Sequence, residues 1–140
     1  MQLASEATES ESPQSYITIE GKISSSTIDG ELCEACIKYG SNYLVFTTNN
    51  CPYEESLNIS YLGSDLSLVD KAILVWPYNT GSFTLEKLIE PNRVEFKFFS
   101  DSIWAIDVYK NKRAMIPFFS EPRGVWRSFK LSHYFRVFKR

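Results

Sequence analysis

Arg93-Val94-Glu95-Phe96-Lys97-Phe98 alternates charged and apolar residues without a break. Successive side chains of a strand point to opposite faces, so Val94, Phe96 and Phe98 share one face while Arg93, Glu95 and Lys97 share the other. A helix would instead send residues two apart to nearly opposite sides of its axis. The stretch therefore reads as a half-buried strand, and the same pattern extends outward from it. Trp104, Ile106 and Val108 form the next inward set, closed by the turn Lys110-Asn111-Lys112. Arg113 to Phe119 follows, with Pro117 marking an edge or a bulge because proline donates no ladder hydrogen bond. Upstream, Phe83 to Ile89 leads into the turn Glu90-Pro91-Asn92. Leu57 to Leu62 alternates strictly, Gly63-Ser64-Asp65 turns it, and Leu68 to Trp76 returns. Ile37-Lys38-Tyr39, Gly40-Ser41-Asn42 and Tyr43 to Thr48 read as a hairpin. Tyr16 to Glu20 opens the series, and residues 24–31 read as a loop. The last segment, Val125 to Arg140, fits two patterns: a strand face of Phe129, Leu131, Phe135 and Val137, or a helical stripe of Trp126, Phe129, His133 and Val137. Its aromatic and β-branched content favours the strand.

Strands spaced about ten residues apart, with turns between them, predict a mostly β fold with little helix: an antiparallel meander forming a sandwich or barrel. No helical pattern is long enough to build βαβ units. Val45, Ile59, Phe96, Phe98, Trp104 and Ile106 are the expected core. A length of 140 residues with a hydrophobic fraction of 44% suits one domain with a full core. Residues 1–15, MQLASEATESESPQS, have almost nothing to bury and are expected to be a disordered acidic leader. The single β-rich domain is then expected over 16–140. No apolar run reaches the roughly 20 residues that span a bilayer, and no basic and apolar signal segment opens the chain, so no membrane is expected and the expected location is the cytoplasm.

Charge is divided between the halves. Residues 1–70 hold eleven Asp or Glu against Lys22 and Lys38, while residues 71–140 hold thirteen Lys or Arg against six acids. The net charge of −2 conceals this asymmetry. Such a dipolar chain is suited to meeting a charged partner with one face.

No linear motif announces catalysis, so no enzyme, catalytic residue or cofactor is expected. Cys33-Glu34-Ala35-Cys36 is a C-x-x-C that, with Cys51 and His133, would complete a Cys₃His zinc set, but a second paired motif is missing. A thioredoxin-like redox role needs a βαβ context that the chain lacks. The three cysteines are therefore expected to be small buried apolar residues binding no metal. His133, the only histidine, has no nucleophile or orienting acid near it in sequence and reads as structural. Glu54 and Glu55 are adjacent, so on a strand they would diverge rather than flank one bond. The C-terminal run interleaves Arg123, Trp126, Arg127, Phe129, Lys130, Tyr134, Phe135, Arg136, Phe138, Lys139 and Arg140. Stacking platforms beside cations suit single-stranded nucleic acid, but in a sheet the aromatics face the core, and the net negative charge argues against this use.

Tyr39-Gly40-Ser41-Asn42-Tyr43-Leu44-Val45-Phe46-Thr47-Thr48, Pro52-Tyr53-Glu54-Glu55 and the hairpin from Leu57 to Trp76 together resemble small β-rich bacterial immunity proteins of contact-dependent inhibition and polymorphic toxin systems. The resemblance covers residues 37–100. It implies a rigid domain without catalytic groups that binds a cognate protein toxin and occludes its active site. Many such toxins are basic nucleases, to which an acidic surface is complementary. Asp29, Glu31, Glu34, Glu54, Glu55 and Asp65 are the expected partner-binding residues. The competing expectation is a nucleic-acid-binding β-barrel that uses the basic, aromatic C-terminal segment.

Overall fold

The computed structural model describes residues 2–3, 13–50, 55–75, 81–99, 101–115, 121–122, 124–127 and 132–140. In chain order the strands are β1 (Gln2–Leu3), β2 (Gln14–Tyr16), β3 (Thr18–Ile19), β4 (Lys22–Ile23), β5 (Ile28–Asp29), β6 (Leu32–Tyr39) and β7 (Asn42–Thr48). They continue as β8 (Leu57–Leu62), β9 (Leu68–Leu74), β10 (Thr84–Ile89), β11 (Arg93–Lys97), β12 (Ile103–Ala114), β13 (Val125–Arg127) and β14 (Ser132–Lys139). Every pairing is antiparallel, and no helix occurs among the described residues. The expected mostly β class holds. The architecture is a sandwich, not a closed barrel: a five-stranded sheet β13-β9-β8-β7-β6 faces a four-stranded sheet β10-β11-β12-β14. The meander is interrupted once, where β13 joins the first sheet before β14 returns to the second.

The reading of Arg93 to Phe98 places the interior correctly. Val94, Phe96 and Phe98 are buried and join Trp104, Ile106, Val108, Phe135 and Val137 from the same sheet. Leu44, Phe46, Leu57, Ile59, Tyr61, Ala72 and Leu74 oppose them from the other. Phe46 and Phe96 meet across the interface with ring centroids 5.4 Å apart. Phe135 and Val137 point inward from β14, so the last segment is strand and not helix. Phe129 and Leu131 of the expected face, with Trp76 and Pro117, lie outside the described residues.

Val45 is buried as expected but belongs to a second core on the far side of the five-stranded sheet, with Ile17, Ile28, Tyr43, Leu62 and Leu66. The N-terminal β3–β4 hairpin and β5 supply this third layer, so β7 is covered on both faces. That explains the continuous apolar run Tyr43-Leu44-Val45-Phe46, which a one-sided strand would not show. It also buries Asn58 and Ser60, the polar positions of the alternating β8. Asn58 Nδ2 then donates to Asn49 Oδ1 at 2.7 Å.

Three local expectations are corrected. Gly40 and Ser41 alone make the first hairpin turn, Asn42 already pairing with Tyr39. Gly40 takes φ +61°, the left-handed first position of a type II′ turn. Lys110-Asn111-Lys112 is no turn: β12 runs through it, shifts register between Val108 and Arg113, and pairs again with β14. Cross-strand pairing of Arg113 with His133 overrides the turn-like composition. The leader boundary at residue 15 falls inside β2. Ser15 is fully buried and donates to Gly30 O at 2.6 Å, so hydrogen bonding orders a segment too polar to be read as folded. Gly30 accommodates this crossing with φ +114°, and a Cβ there would lie 2.1 Å from Thr47 Oγ1.

Candidate functional site

The two long edges of the sandwich are built differently. On one side β9, β13 and β14 meet around a buried ionic cluster. Asp70 Oδ2 accepts from Arg127 Nη2 at 3.0 Å and from the Tyr134 amide at 2.8 Å, and its Oδ1 lies 2.9 Å from His133 Nδ1. An ionised carboxylate only accepts, so Nδ1 carries the proton. Glu121 completes the cluster, 3.4 Å from Arg127 Nη1 and accepting from the Val137 amide at 2.8 Å. Burial raises the pKa of Glu121 against the opposing pull of Arg127, and burial lowers that of Arg127. A raised carboxyl pKa means that the contribution of Glu121 to stability falls as pH climbs from its ordinary 4.5 through the raised value. The Arg127 guanidinium also lies over Phe135, its carbon 4.2 Å from the ring centre. His133 is thus buried with an acid beside it, Asp70, where the sequence showed none nearby. Its partner, 63 residues away, was not legible there.

The expected acidic face does not assemble. Asp29 is buried, hydrogen-bonded by Gln14 and paired with Lys71 Nζ at 3.2 Å. Glu55 is buried and accepts the Asn49 amide at 2.6 Å. Asp65 is exposed, but its carboxylate accepts from the Ser67 amide and hydroxyl at the β8–β9 turn. Glu31 and Glu34 stand at the start of β6, at the other end of the strands. Glu54 lies outside the described residues. Folding therefore consumes Asp29 and Glu55 and separates Asp65 from Glu31 and Glu34.

The cations of the second half are exposed but are divided between faces, Lys139 standing opposite the inward-facing Trp104 and Arg136 opposite Asp107. Arg136, Lys139 and Arg140 on β14 and at its end, with Lys110, Lys112 and Arg113 on β12, are exposed on the four-stranded sheet. Its aromatics are capped by the chain's own cations: Arg113 lies 4.1 Å from the centre of the Tyr109 ring, and Arg93 and Arg136 lie 5.0 and 5.3 Å from that of Phe138. Arg93 is held by Asp107 through two hydrogen bonds of 2.7 and 3.0 Å. Rings covered in this way are not free platforms for bases.

The cysteine expectation is corrected. Cys33 and Cys36 are free thiols on the exposed edge strand β6. A bulge at Glu34 sets them opposite Thr47 and Val45, on one face of the sheet. Cys51 lies outside the described residues. His133 sits on β14, in the other sheet from β6, so these residues do not come together as a zinc set. Among the described residues no three His, Cys, Asp or Glu side chains cluster as metal ligands. Desolvation, with smaller effects of Cys33 and Glu20, pushes the Cys36 thiol up to about 11 from 9.0. Its thiolate fraction at neutral pH then drops about a hundredfold, and the greater nucleophilicity of the more basic thiolate recovers about tenfold. Iodoacetamide at pH 7.5 should accordingly alkylate Cys36 about tenfold more slowly than an unstructured peptide thiol, as read by mass spectrometry of the digested protein. Equal rates would contradict this environment.

The other side of the sandwich is open. Among the described residues β6 and β10 are the free edges of their sheets there. A groove of about 230 Å³ opens between them, with Ile37, Tyr39 and Leu44 on one wall and Leu88, Val94 and Val108 on the other. The bulge at Glu86 leaves Leu85 and Leu88 opposite Phe96 and Val94, so both leucines lie on the core-facing side of β10. They nevertheless remain 41% and 55% exposed, and Leu32 of β6 is 45% exposed. Among the described residues no strand of the facing sheet covers them. Glu31, Glu34 and Glu90 flank this side without a cationic partner among the described residues, whereas Lys38 is paired with Glu20 and Lys97 with Glu86.

Comparisons with protein-family models, with curated protein sequences and with solved structures each gave no match. Among the described residues no helix is long and apolar enough to cross a membrane.

Proposed function

We propose that this chain is an immunity protein that binds a cognate bacterial toxin in the cytoplasm and occludes its basic, nucleic-acid-cleaving site. The observation that carries the reading is the open side of the sandwich. Exposed core-facing leucines beside two edges that are unpaired among the described residues mark a surface suited to protein docking, and the carboxylates of Glu31, Glu34 and Glu90, which have no cationic partner among the described residues, give it the sign that a basic partner needs. The charge asymmetry of the chain and its resemblance to β-rich immunity proteins agree with this.

Growth rescue is the direct test. Cells expressing the polypeptide encoded immediately upstream as a toxin should survive when this chain is co-expressed. Glu31→Lys/Glu34→Lys should slow association about tenfold at low salt, because charges at the rim act mainly on the encounter rate, and 0.5 M salt should reduce the difference. Arg136→Glu/Lys139→Glu should leave the rate within about twofold. The opposite ranking would assign binding to the cations of β14 and would favour nucleic acid or an acidic protein as partner.

A further inference from the structure

We infer that the partner is engaged by strand addition: an extended segment, apolar in its middle and basic at its ends, pairs with the free edge of β6 and places alternate side chains in the groove between β6 and β10. This rests on the protein-binding reading above and specifies how the surface is used.

The two free edges are not equivalent. Each carries a bulge at a glutamate, a device that blunts indiscriminate pairing. In β10 the bulge at Glu86 divides the strand into short regular runs, Thr84–Leu85 and Lys87–Ile89. In β6 the bulge at Glu34 falls near the start and leaves Ala35 to Tyr39 in unbroken register with Phe46 to Asn42. Among the described residues that run offers an unpaired row of backbone donors and acceptors on its outer edge, without proline, and main-chain pairing of this kind supplies affinity while side-chain pockets supply choice. A strand laid beside it alternates faces, so every second residue points to the core side. The groove lies on that side, lined by Ile37 and Leu88, and Leu32 and Leu85 extend the apolar strip.

Charge fixes the chemistry of the ends. Glu31 and Glu34 stand at the start of β6, and Glu90 borders the groove near the Gly40 end. Lys38, the cation within the regular run, is neutralised by Glu20 at 3.6 Å. An apolar strand with lysines at both termini therefore meets carboxylates at both ends.

The test uses the full chain, labelled with ¹⁵N, and a nine-residue probe, acetyl-Lys-Lys-Val-Thr-Val-Thr-Val-Lys-Lys-amide. Saturable amide shifts should concentrate on residues 35–39 and 88–90. A probe N-methylated at alternate backbone positions should bind at least tenfold more weakly, as should one with glutamates in place of its lysines. Leu88→Lys, at an exposed position, should have a similar effect without unfolding the domain. Shifts confined to β12 and β14, or equal binding of the N-methylated probe, would overturn the inference. So would a concentration-dependent dimer through β6 that excludes the probe, which would make a second copy the occupant. If the probe binds as expected but no toxin is neutralised, the edge inference stands and the immunity reading falls. If a toxin is neutralised equally well by Leu88→Lys, the reverse holds.

Discussion

Phe96→Ala should destabilise the domain by about 3–5 kcal/mol, the usual cost of deleting a large, fully enclosed aromatic side chain. Phe96 is fully buried, with Phe46 and Phe83 ring centroids 5.4 and 5.7 Å away. Truncation removes its transfer free energy and leaves a cavity whose walls, on two sheets, cannot both collapse. Leu88→Ala is the control. Leu88 faces the same side of the same sheet but is 55% exposed, so its loss should cost no more than about 0.5 kcal/mol. Denaturant unfolding reads both. Similar costs at the two positions would mean that the β6/β10 side is closed, which would remove the basis for strand addition there.

The contrast shows what alternation conveys. The phase of β11 was legible because one of its faces packs on the other sheet, while the other keeps Arg93 and Lys97 half-exposed and covers only Glu95, which Arg140 pairs at 2.6 Å. Alternation in β8 misled for the opposite reason: both faces are covered, the second by a hairpin that lies far away in sequence, so Asn58 and Ser60 are buried although their pattern marks them as exposed. Whether a strand is central or at an edge depends on strand order, which alternation does not encode. The open side of the sandwich was therefore invisible, although Leu32, Leu85 and Leu88 were each plain to see. The acids failed in a related way. Asp29, Glu55 and Asp70 are buried while Glu31 and Glu34 are not, and nothing local distinguishes them. Their environments are set by Gln14, Lys71, Asn49, Arg127 and His133, most of them distant in the chain.

Asp70→Ala should cost about 3–5 kcal/mol, because breaking one partner out of a buried ion pair strands the other charge in a dry site. Asp70 and Arg127 side chains are 2% and 9% exposed. Without Asp70, His133 Nδ1 and the Tyr134 amide also lose their acceptor, and only Glu121 remains to oppose the arginine charge. Arg127 already has its Nε–H without a hydrogen-bond partner among the described residues, so little slack exists for rearrangement. The paired replacement Asp70→Ala/Arg127→Met should be less damaging than the sum of the single changes by more than about 1 kcal/mol, since removing both charges avoids the desolvation penalty of either one alone. An additive result, or a cost for Asp70→Ala below about 1 kcal/mol, would show that the cluster is hydrated and does not clamp this edge. A clamped edge is what makes the two sides of the sandwich unequal. The ionic cluster ties β9, β13 and β14 together, so β6 and β10 are left as the edges at which another strand can be admitted.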